Sequence, residues 1–262
     1  QAKIFRKKPI NFIAVQNAHT EDTSERVKKN RFMTKYYTFS NFEKKVFKNK
    51  NLSKKIIPIG SIRSIAAKKY FSRNLKMKKI YDICVISEPD FEPNNTDYIE
   101  NDMDKKSALV AEYCLKFSKK FKKKIIISGK TNINSSDKER EERFYEYNLK
   151  FKNFKISFND KLKFGSYKNI IQSEIIVASA STMLREAFFF NKKILWCNYA
   201  KTAIFPFKDE IHLTRKDYLS FEKTLLKLIN MSQREYFKRI KNFEEIIYAK
   251  NDNFNDLIES LS

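Results

Sequence analysis

The hydroxyl and acidic residues at positions 179–186 have the types and spacing of an anion-binding site. The apolar run 175–178 predicts a buried strand, and Ser179, Ser181 and Thr182 follow it where a helix is predicted to begin. Free backbone N–H groups at such a point bind phosphate oxygens, and small hydroxyl side chains leave these groups accessible. The segment therefore predicts a site for an anion such as phosphate.

Glu186 adds a carboxylate to this predicted site. It follows Thr182 by four residues, so the two side chains share one face of the predicted helix. A carboxylate there can accept hydrogen bonds from the vicinal hydroxyl groups of a ribose, as an acidic residue does in dinucleotide-binding folds. In the alternative interpretation, Ser181 is an ordinary helix cap and Glu186 favours the helix dipole. Spacing alone leaves both interpretations open.

Two of the three glycines in the chain follow predicted strands. Gly60 precedes Ser61 at the end of one strand, and Gly129 lies between Ser128 and Lys130 at the end of another. Ligands of a doubly wound sheet bind beyond the carboxyl ends of its strands, where glycine lets the backbone approach a phosphate. Simple turn chemistry, in which glycine supplies a positive φ, is the alternative for each position.

The two histidines are the candidates for a general base. His19 follows a short predicted strand and has Glu21 and Asp22 beside it, so a carboxylate could orient its imidazole for proton transfer. The alternative is an exposed loop histidine without a catalytic role. His212 alternates with apolar residues in a predicted strand and is expected to be structural. The chain has no His/Cys cluster with metal-ligand spacing, so neither a metal nor a cofactor is expected.

Short apolar strands alternate with helices through most of the 262 residues. Hydrophobic residues make up 42% and aromatic residues 15%, which excludes a disordered chain and is enough for a sizeable core. Continuous apolar runs are typical of parallel strands that are buried on both faces. The predicted runs are 82–87, 124–128, 175–178 and 194–197.

These runs predict an α/β fold with a doubly wound, Rossmann-like parallel sheet. We place this domain at residues 52–262 and interpret residues 1–51 as the remnant or end of a preceding domain. The first residue is Gln and not Met, so the natural start of the polypeptide is expected to lie upstream.

The formal net charge of +23 comes mainly from lysines spread along the whole chain. A nucleic-acid module would more often gather its basic residues in one patch, so no nucleic-acid partner is expected. Such a surface still attracts anions, including nucleotide phosphates and an acidic membrane leaflet.

The three cysteines have neither a disulfide nor a zinc spacing, which fits a reducing compartment. No apolar run approaches the ~20 residues of a membrane span, and no signal peptide is recognised.

The segment 177–187, with the Lys-rich strand 192–195 after it, resembles the nucleotide-binding half of GT-B glycosyltransferases. More narrowly, it is similar to bacterial transferases of surface-carbohydrate biosynthesis, which show a strand, a Ser-Thr pair opening a helix, and Glu-Ala one turn later. Residues 58–63 resemble the start of that domain, and residues 13–17 its upstream strand. The chain departs from the family in having Ala18 where a glycine is usual, and in being too short for a complete amino-terminal domain.

The resemblance implies that residues 1–51 are the remnant or end of an amino-terminal acceptor-side domain and that residues 52–262 contain a donor pocket for a nucleotide-sugar. Ser179, Ser181 and Thr182 would hold its phosphates, and Glu186 would bind its ribose. The other residues that the resemblance places at this pocket are Gly60, Ser61 and Arg63 on the opposite lip, and Ser128, Gly129 and Lys130 near the base or phosphate. His19 would be the base, with Glu21 and Asp22 beside it.

The implied activity is transfer of a sugar to a surface-polysaccharide or lipid-linked acceptor without an obligate metal. The protein would be cytoplasmic, with peripheral attachment to the inner face of the cytoplasmic membrane. Polyol-phosphate transfer and sugar-nucleotide epimerisation on the same scaffold are alternatives. So is a domain without catalytic activity that binds a nucleotide or an anionic polymer.

Overall fold

The computed structural model describes residues 12–16, 33–48, 53–74, 77–89, 102–199, 201, 211–240 and 257–259. The chain divides into two compact units. The first consists of residues 1–66 and 242–262, and the second of residues 67–241. The helix α2, Ile62–Asn74, contains the boundary between them.

The first unit contains a parallel three-stranded sheet in the order β1-β2-β3. Its strands are β1 (Ile13–Val15), β2 (Met33–Thr38) and β3 (Ser53–Pro58), and the helix α1 (Asn41–Lys48) follows β2. Successive side chains of a strand point to opposite faces, so Tyr36 packs with Phe47 whereas Tyr37 packs with Ile57 and Leu257. The sheet therefore has apolar contacts on both faces.

The second unit is built on a parallel six-stranded sheet in the order β6-β5-β4-β7-β8-β9. Its strands are β4 (Tyr81–Ile86), β5 (Ile125–Asn132), β6 (Ile156–Asn159), β7 (Ser173–Ala178), β8 (Lys193–Cys197) and β9 (His212–Leu213). Its helices beyond α2 are α3 (Asp102–Phe121), α4 (Asp137–Asn148), α5 (Gly165–Ile171), α6 (Met183–Phe189), α7 (Tyr218–Asn230) and α8 (Gln233–Arg239).

Each central strand of this sheet contains a continuous buried run of mainly apolar residues because both faces are covered. Residues 83–86 of β4, 175–178 of β7 and 194–197 of β8 are all buried. The helix α7 contributes one apolar stripe, formed by Phe221, Leu225, Leu228 and Ile229 at helical spacing. This is the α/β fold with a doubly wound parallel sheet that the sequence predicts, and the prediction of fold class is confirmed.

The strand order reverses between β4 and β7. From β4 the chain first adds β5 and β6 on one side, and then returns to add β7, β8 and β9 on the other. Ligands of open α/β sheets bind in the crevice beyond the carboxyl ends of the two strands at such a switch point. The topology therefore directs attention to the residues that follow Ile86 and Ala178.

Two segments differ from the sequence analysis. The strand Ser53–Pro58 pairs with Met33–Thr38 in the first unit, whereas we placed it at the start of the second domain. An apolar run predicts a strand but does not indicate which other strand pairs with it. Gly129 lies inside β5, which continues to Asn132, and does not follow the strand. The assignment of residues 1–51 and 52–262 to acceptor and donor sides stays a prediction.

Candidate anion and nucleotide site

Four residues at the switch point form what we call the switch-point site. Ser87 and Glu88 follow β4, and Ser179 and Ala180 follow β7. The register pairs Val85 with Val177, so the two strands end side by side. The site therefore lies where the topology predicts a ligand.

The carboxylate of Glu88 binds the loop that follows β7. The backbone N–H of Ser179 donates to Oε2 at 2.7 Å, and that of Ala180 donates to Oε1 at 2.8 Å. Two consecutive N–H groups thus point at one anion and hold both of its oxygens. Backbone arrangements of this kind bind carboxylates and phosphates alike.

Burial disfavours the ionised form of the Glu88 carboxyl group. Burial raises the pKa of Glu88 to about 7, although the hydrogen bonds from Ser179 and Ala180 and the charge of Lys130 lower it. The charge of Asp104 adds to the increase in pKa. Glu88 therefore titrates near neutral pH while it occupies the two amides.

Ser179 brings a buried hydroxyl to the same loop. Its side chain is 2% exposed, and Oγ has no hydrogen-bond partner among the described residues. The Ser179 carbonyl oxygen accepts a hydrogen bond of 2.6 Å from the indole N–H of Trp196. The loop is therefore anchored through the backbone of Ser179 and not through this hydroxyl group.

Ser181 and Thr182 open α6, as the sequence predicts. The hydroxyl oxygen of Ser181 accepts a hydrogen bond of 3.3 Å from the N–H of Met183, and Thr182 occupies the N-cap position without a side-chain cap bond. The contact made by Ser181 is the local capping that the alternative interpretation describes. Both residues remain partly exposed.

Glu186 lies in the first turn of α6 and is 6% exposed. Its Oε2 accepts a hydrogen bond of 3.0 Å from the hydroxyl of Tyr167 on α5. This carboxylate is therefore not a solvated surface group. A carboxylate held in this way can receive further hydroxyl donors, but the assignment to ribose stays a prediction.

A second buried carboxyl group, that of Glu141, organises the carboxyl end of β5. It accepts hydrogen bonds of 2.9 Å from the N–H groups of Lys130 and Thr131, and one from the hydroxyl of Ser87. Ser128, also at this end of β5, accepts a hydrogen bond of 3.1 Å from the side chain of Asn169. A Cβ on Gly129 would lie 3.1 Å from Cδ1 of Phe158 and 3.2 Å from Cγ2 of Ile156, so the glycine leaves room for these two side chains.

Lys130 stands beside the switch-point site. Its ammonium group donates a hydrogen bond of 3.1 Å to the carbonyl of Pro89, the residue after Glu88. It also lines a polar cleft of about 450 Å³. The other lining residues are Thr131, Asn132, Asn134, Ser135, Asp137 and Lys161.

The structure thus places Ser128 and Lys130 on β5 and Ser179 directly after β7, on the two strands that flank β4. The sequence analysis missed Glu88 and Glu141. Glu88 follows directly after a predicted strand. This position indicates a site residue only when the strand order is known, because the order shows which strands flank the switch point. Glu141 belongs to a helix that is charged on all faces in the sequence, so nothing in the pattern marks it as buried.

The remaining predicted residues belong to the first unit or fall outside the described residues. Gly60, Ser61 and Arg63 belong to the first unit, where Ser61 caps α2 by accepting a hydrogen bond of 3.2 Å from the N–H of Ser64. Gly60 has a φ of 85°, which supports the turn interpretation, and Arg63 is exposed. The three residues predicted for catalysis, His19, Glu21 and Asp22, fall outside the described residues.

His212 has the packing of a structural side chain. Its ring stacks on Trp196 with a centroid distance of 4.2 Å, and Nε2 lies 3.0 Å from Nδ2 of Asn198. Burial lowers the pKa of His212, so the neutral imidazole is favoured. The three cysteines, Cys84, Cys114 and Cys197, are buried free thiols.

Within the described ranges, no group of three or more His, Cys, Asp or Glu side chains is placed to hold a metal ion. None of the helices in the part of the chain that the structure describes is both long and apolar enough to cross a membrane.

Comparison with known proteins gives likenesses of structure but not of sequence. No protein-family profile matches the chain, and no curated protein matches it as a relative. The UDP-GlcNAc 2-epimerase of Methanocaldococcus jannaschii is similar with a TM-score of 0.62 at 12% identity, over 99% of this chain and 71% of the epimerase.

Two further solved structures are similar at a TM-score of 0.51. The wall teichoic acid polymerase TagF is 11% identical, over 98% of this chain and 68% of the polymerase. The α,α-trehalose-phosphate synthase of Burkholderia vietnamiensis is 9% identical, over 99% of this chain and 71% of the synthase. The predicted resemblance is confirmed at the level of fold: the chain has the GT-B-type fold that glycosyltransferases share with UDP-GlcNAc 2-epimerases.

Proposed function

We propose that the chain is the donor-binding part of a GT-B-type glycosyltransferase. It would move a sugar from a nucleotide-sugar to a surface-polysaccharide or lipid-linked acceptor. The observation that carries this proposal is the pair of N–H groups of Ser179 and Ala180, which hold both oxygens of a carboxylate at the switch point of the sheet. In the enzyme with donor bound, these groups hold the diphosphate.

The chemistry of glycosyl transfer makes such a site useful. Negative charge builds up on the leaving diphosphate as the bond to the sugar breaks, and fixed N–H groups or cations stabilise it. Ser179 adds a buried hydroxyl, and Lys130 supplies positive charge close by. With these donors the reaction needs no obligate metal.

The nucleoside is recognised on the other side of the same loop. Glu186, held by Tyr167, accepts hydrogen bonds from the ribose hydroxyls. Ser181 and Thr182 complete the phosphate contacts at the start of α6. Ser128, Gly129 and Lys130 contact the base or phosphate from β5.

Residues 1–51 belong to the acceptor side. Gly60, Ser61 and Arg63 are further nucleotide-binding residues, and Arg63 neutralises the charge of a phosphate. His19 removes the proton from the acceptor hydroxyl, and Glu21 and Asp22 orient its imidazole. The net charge of +23 suits an enzyme located in the cytoplasm that attaches peripherally to an anionic membrane carrying a lipid-linked acceptor.

Thermal melting against UDP, GDP, CDP, CMP and their sugar conjugates tests donor binding. A ligand at ~100 times its dissociation constant stabilises the folded state by ~2.7 kcal/mol and raises Tm. We expect one nucleotide class to raise Tm, and Glu186→Gln to reduce this rise while leaving the unliganded Tm nearly unchanged. Glu139→Gln, on a side chain that is 73% exposed on α4, is the matched control. If no nucleotide or nucleotide-sugar raises Tm, the proposal fails.

Epimerisation of a nucleotide-sugar is the second candidate, because the UDP-GlcNAc 2-epimerase has the higher TM-score, 0.62 against 0.51 for TagF. Incubation of the nucleotide-sugar with the protein alone separates the two. An epimerase changes the sugar without an acceptor, whereas a transferase releases nucleoside diphosphate only when an acceptor is present. Polyol-phosphate transfer would instead release a nucleoside monophosphate, and a domain that only binds would leave the nucleotide-sugar intact.

A further inference from the structure

The carboxylate of Glu88 occupies the two amides that the proposed function gives to the donor diphosphate. Both of its oxygens are engaged, at 2.7 and 2.8 Å, so neither N–H group is free for a second anion. One N–H group makes one good hydrogen bond, and an anion placed beside a carboxylate is also repelled by it. Glu88 and a phosphate therefore exclude each other at this point.

We propose that Glu88 is an internal phosphate surrogate, which holds the anion site in the ligand-free chain and must turn away before the donor diphosphate binds. The identity of the incoming phosphate rests on the proposed function, but the exclusion itself holds for any oxyanion. Glu88 thereby sets the affinity of the site for its ligand.

The position of Glu88 allows this exchange without a change of fold. The side chain is partly exposed and is joined to the backbone by rotatable single bonds, so it can move to solvent. The buried residues beneath it, Ser87 and Ser179, are held through hydrogen bonds that do not involve Glu88. The loop that carries the amides therefore keeps its hydrogen bond from Trp196 to the Ser179 carbonyl oxygen when the carboxylate leaves.

The groups around Glu88 make its hold on the amides sensitive to pH. Lys130 on β5 attracts the carboxylate, and Asp104 on α3 repels it. Among the described residues, the hydroxyl of Tyr145 on α4 and the thiol of Cys197 on β8 also interact electrostatically with Glu88. Burial raises the pKa of Tyr145 and of Cys197, so both stay neutral near pH 7.

The ionised carboxylate of Glu88 is the form that competes with an incoming anion for the two amides, and this determines the direction of the pH effect. Burial raises the pKa of Glu88 to about 7, so the carboxylate gains a proton as the pH falls through that value. The neutral acid is a weaker acceptor and carries no repelling charge. An anion should therefore bind the amides more tightly below pH 7 than above it.

A titration with inorganic sulfate tests this exchange directly. Sulfate is a tetrahedral dianion that does not titrate near neutral pH, and amide NMR shifts of Ser179 and Ala180 report its arrival. Apparent affinity falls in proportion to the fraction of molecules in which the site is open. If Glu88 closes the site for ~90% of the time, Glu88→Gln should bind sulfate ~10-fold more tightly at about pH 8.

Three comparisons decide the outcome. Glu88→Asp keeps the charge but is too short to reach both amides, so it should also bind sulfate more tightly than the wild type. Lowering the pH to about 6 should strengthen binding in the wild type but not in Glu88→Gln. Glu139→Gln, on the exposed face of α4, should behave as the wild type.

The surrogate role is overturned if Glu88→Gln and Glu88→Asp bind sulfate no better than the wild type, or if sulfate leaves the amide shifts of Ser179 and Ala180 unchanged. It is also overturned if only Glu88→Gln is tighter, because charge repulsion alone then explains the effect. Failure of the proposed function looks different: sulfate displaces Glu88, but no nucleotide-sugar binds to any variant.

Discussion

The hydroxyl of Tyr167 donates a hydrogen bond of 3.0 Å to the carboxylate of Glu186, and this bond joins α5 to α6 within the second unit. Both side chains are buried, at 7% and 6% exposure. The contact orients the carboxylate that the proposed function assigns to the ribose. It also connects the candidate site to the aromatic cluster around Phe164 and Phe190.

Tyr167→Phe removes this hydrogen bond and keeps the ring. We expect the free energy of unfolding to fall by ~1 kcal/mol and nucleotide affinity to fall several-fold, because Glu186 loses a partner that orients it. Urea unfolding and calorimetric titration measure the two effects. Tyr147→Phe, at a hydroxyl on a side chain that is 66% exposed, should change neither. Unchanged nucleotide affinity in Tyr167→Phe would contradict an orienting role.

Glu141→Ala should destabilise the second unit strongly. The substitution leaves the N–H groups of Lys130 and Thr131 without their acceptor in a buried setting, at ~1–3 kcal/mol for each group. We expect the free energy of unfolding, measured in urea, to fall by ~3 kcal/mol. Glu139→Ala, two positions earlier on the exposed side of α4, should cost less than ~0.5 kcal/mol. Equal losses in the two variants would show that the buried position of Glu141 carries no special weight.

Lys193→Met should loosen the end of α7. The ammonium group of Lys193 donates to the carbonyls of Leu228, Ile229 and Met231 at 2.9, 3.0 and 2.6 Å, and the side chain is only 7% exposed. Removing these donors leaves the carbonyls at the helix end unsatisfied, and we expect a loss of ~2–3 kcal/mol in the free energy of unfolding. Lys223→Met, on an exposed position of the same helix, is the control. Hydrogen exchange should quicken at the end of α7 in Lys193→Met alone.

Glu174 should contribute to stability at neutral pH and lose that contribution in acid. Burial raises the pKa of Glu174, but hydrogen bonds and charges from Lys79 and Lys193 outweigh it and hold the pKa below the ordinary 4.5. Because the folded-state pKa is the lower one, the stabilisation is present above pH 4.5 and disappears as the pH falls through the folded-state value.

Urea unfolding of Glu174→Gln and the wild type at about pH 7 and about pH 3 checks this linkage. The variant should be the less stable protein at the higher pH, and the difference should shrink at the lower one. A difference that stays constant with pH would mean that ionisation of Glu174 does not contribute.

The sequence alone determined the type of most elements in the second unit and the loop that carries the candidate site. The apolar run 175–178 and the hydroxyl residues after it predict β7 and the start of α6, because burial on both faces leaves a continuous apolar signature. The GT-B resemblance rests on the same residues and agrees with the fold. The sequence pattern was sufficient for β7 and the start of α6 because both depend mainly on residues that are neighbours in the sequence.

The tertiary structure decided the pairing of strands and the partners of charged groups. Ser53–Pro58 reads as a strand in the sequence, but only its register with Met33–Thr38 places it in the first unit. Glu88 and Glu141 are two of many acidic residues in the sequence, and no sequence feature distinguishes either of them as a site residue. The contact between Glu88 and the amides of Ser179 and Ala180 spans about ninety positions of the chain. Such contacts arise only when the strand order brings two strand ends together, because one-dimensional spacing carries no information about which strands become neighbours.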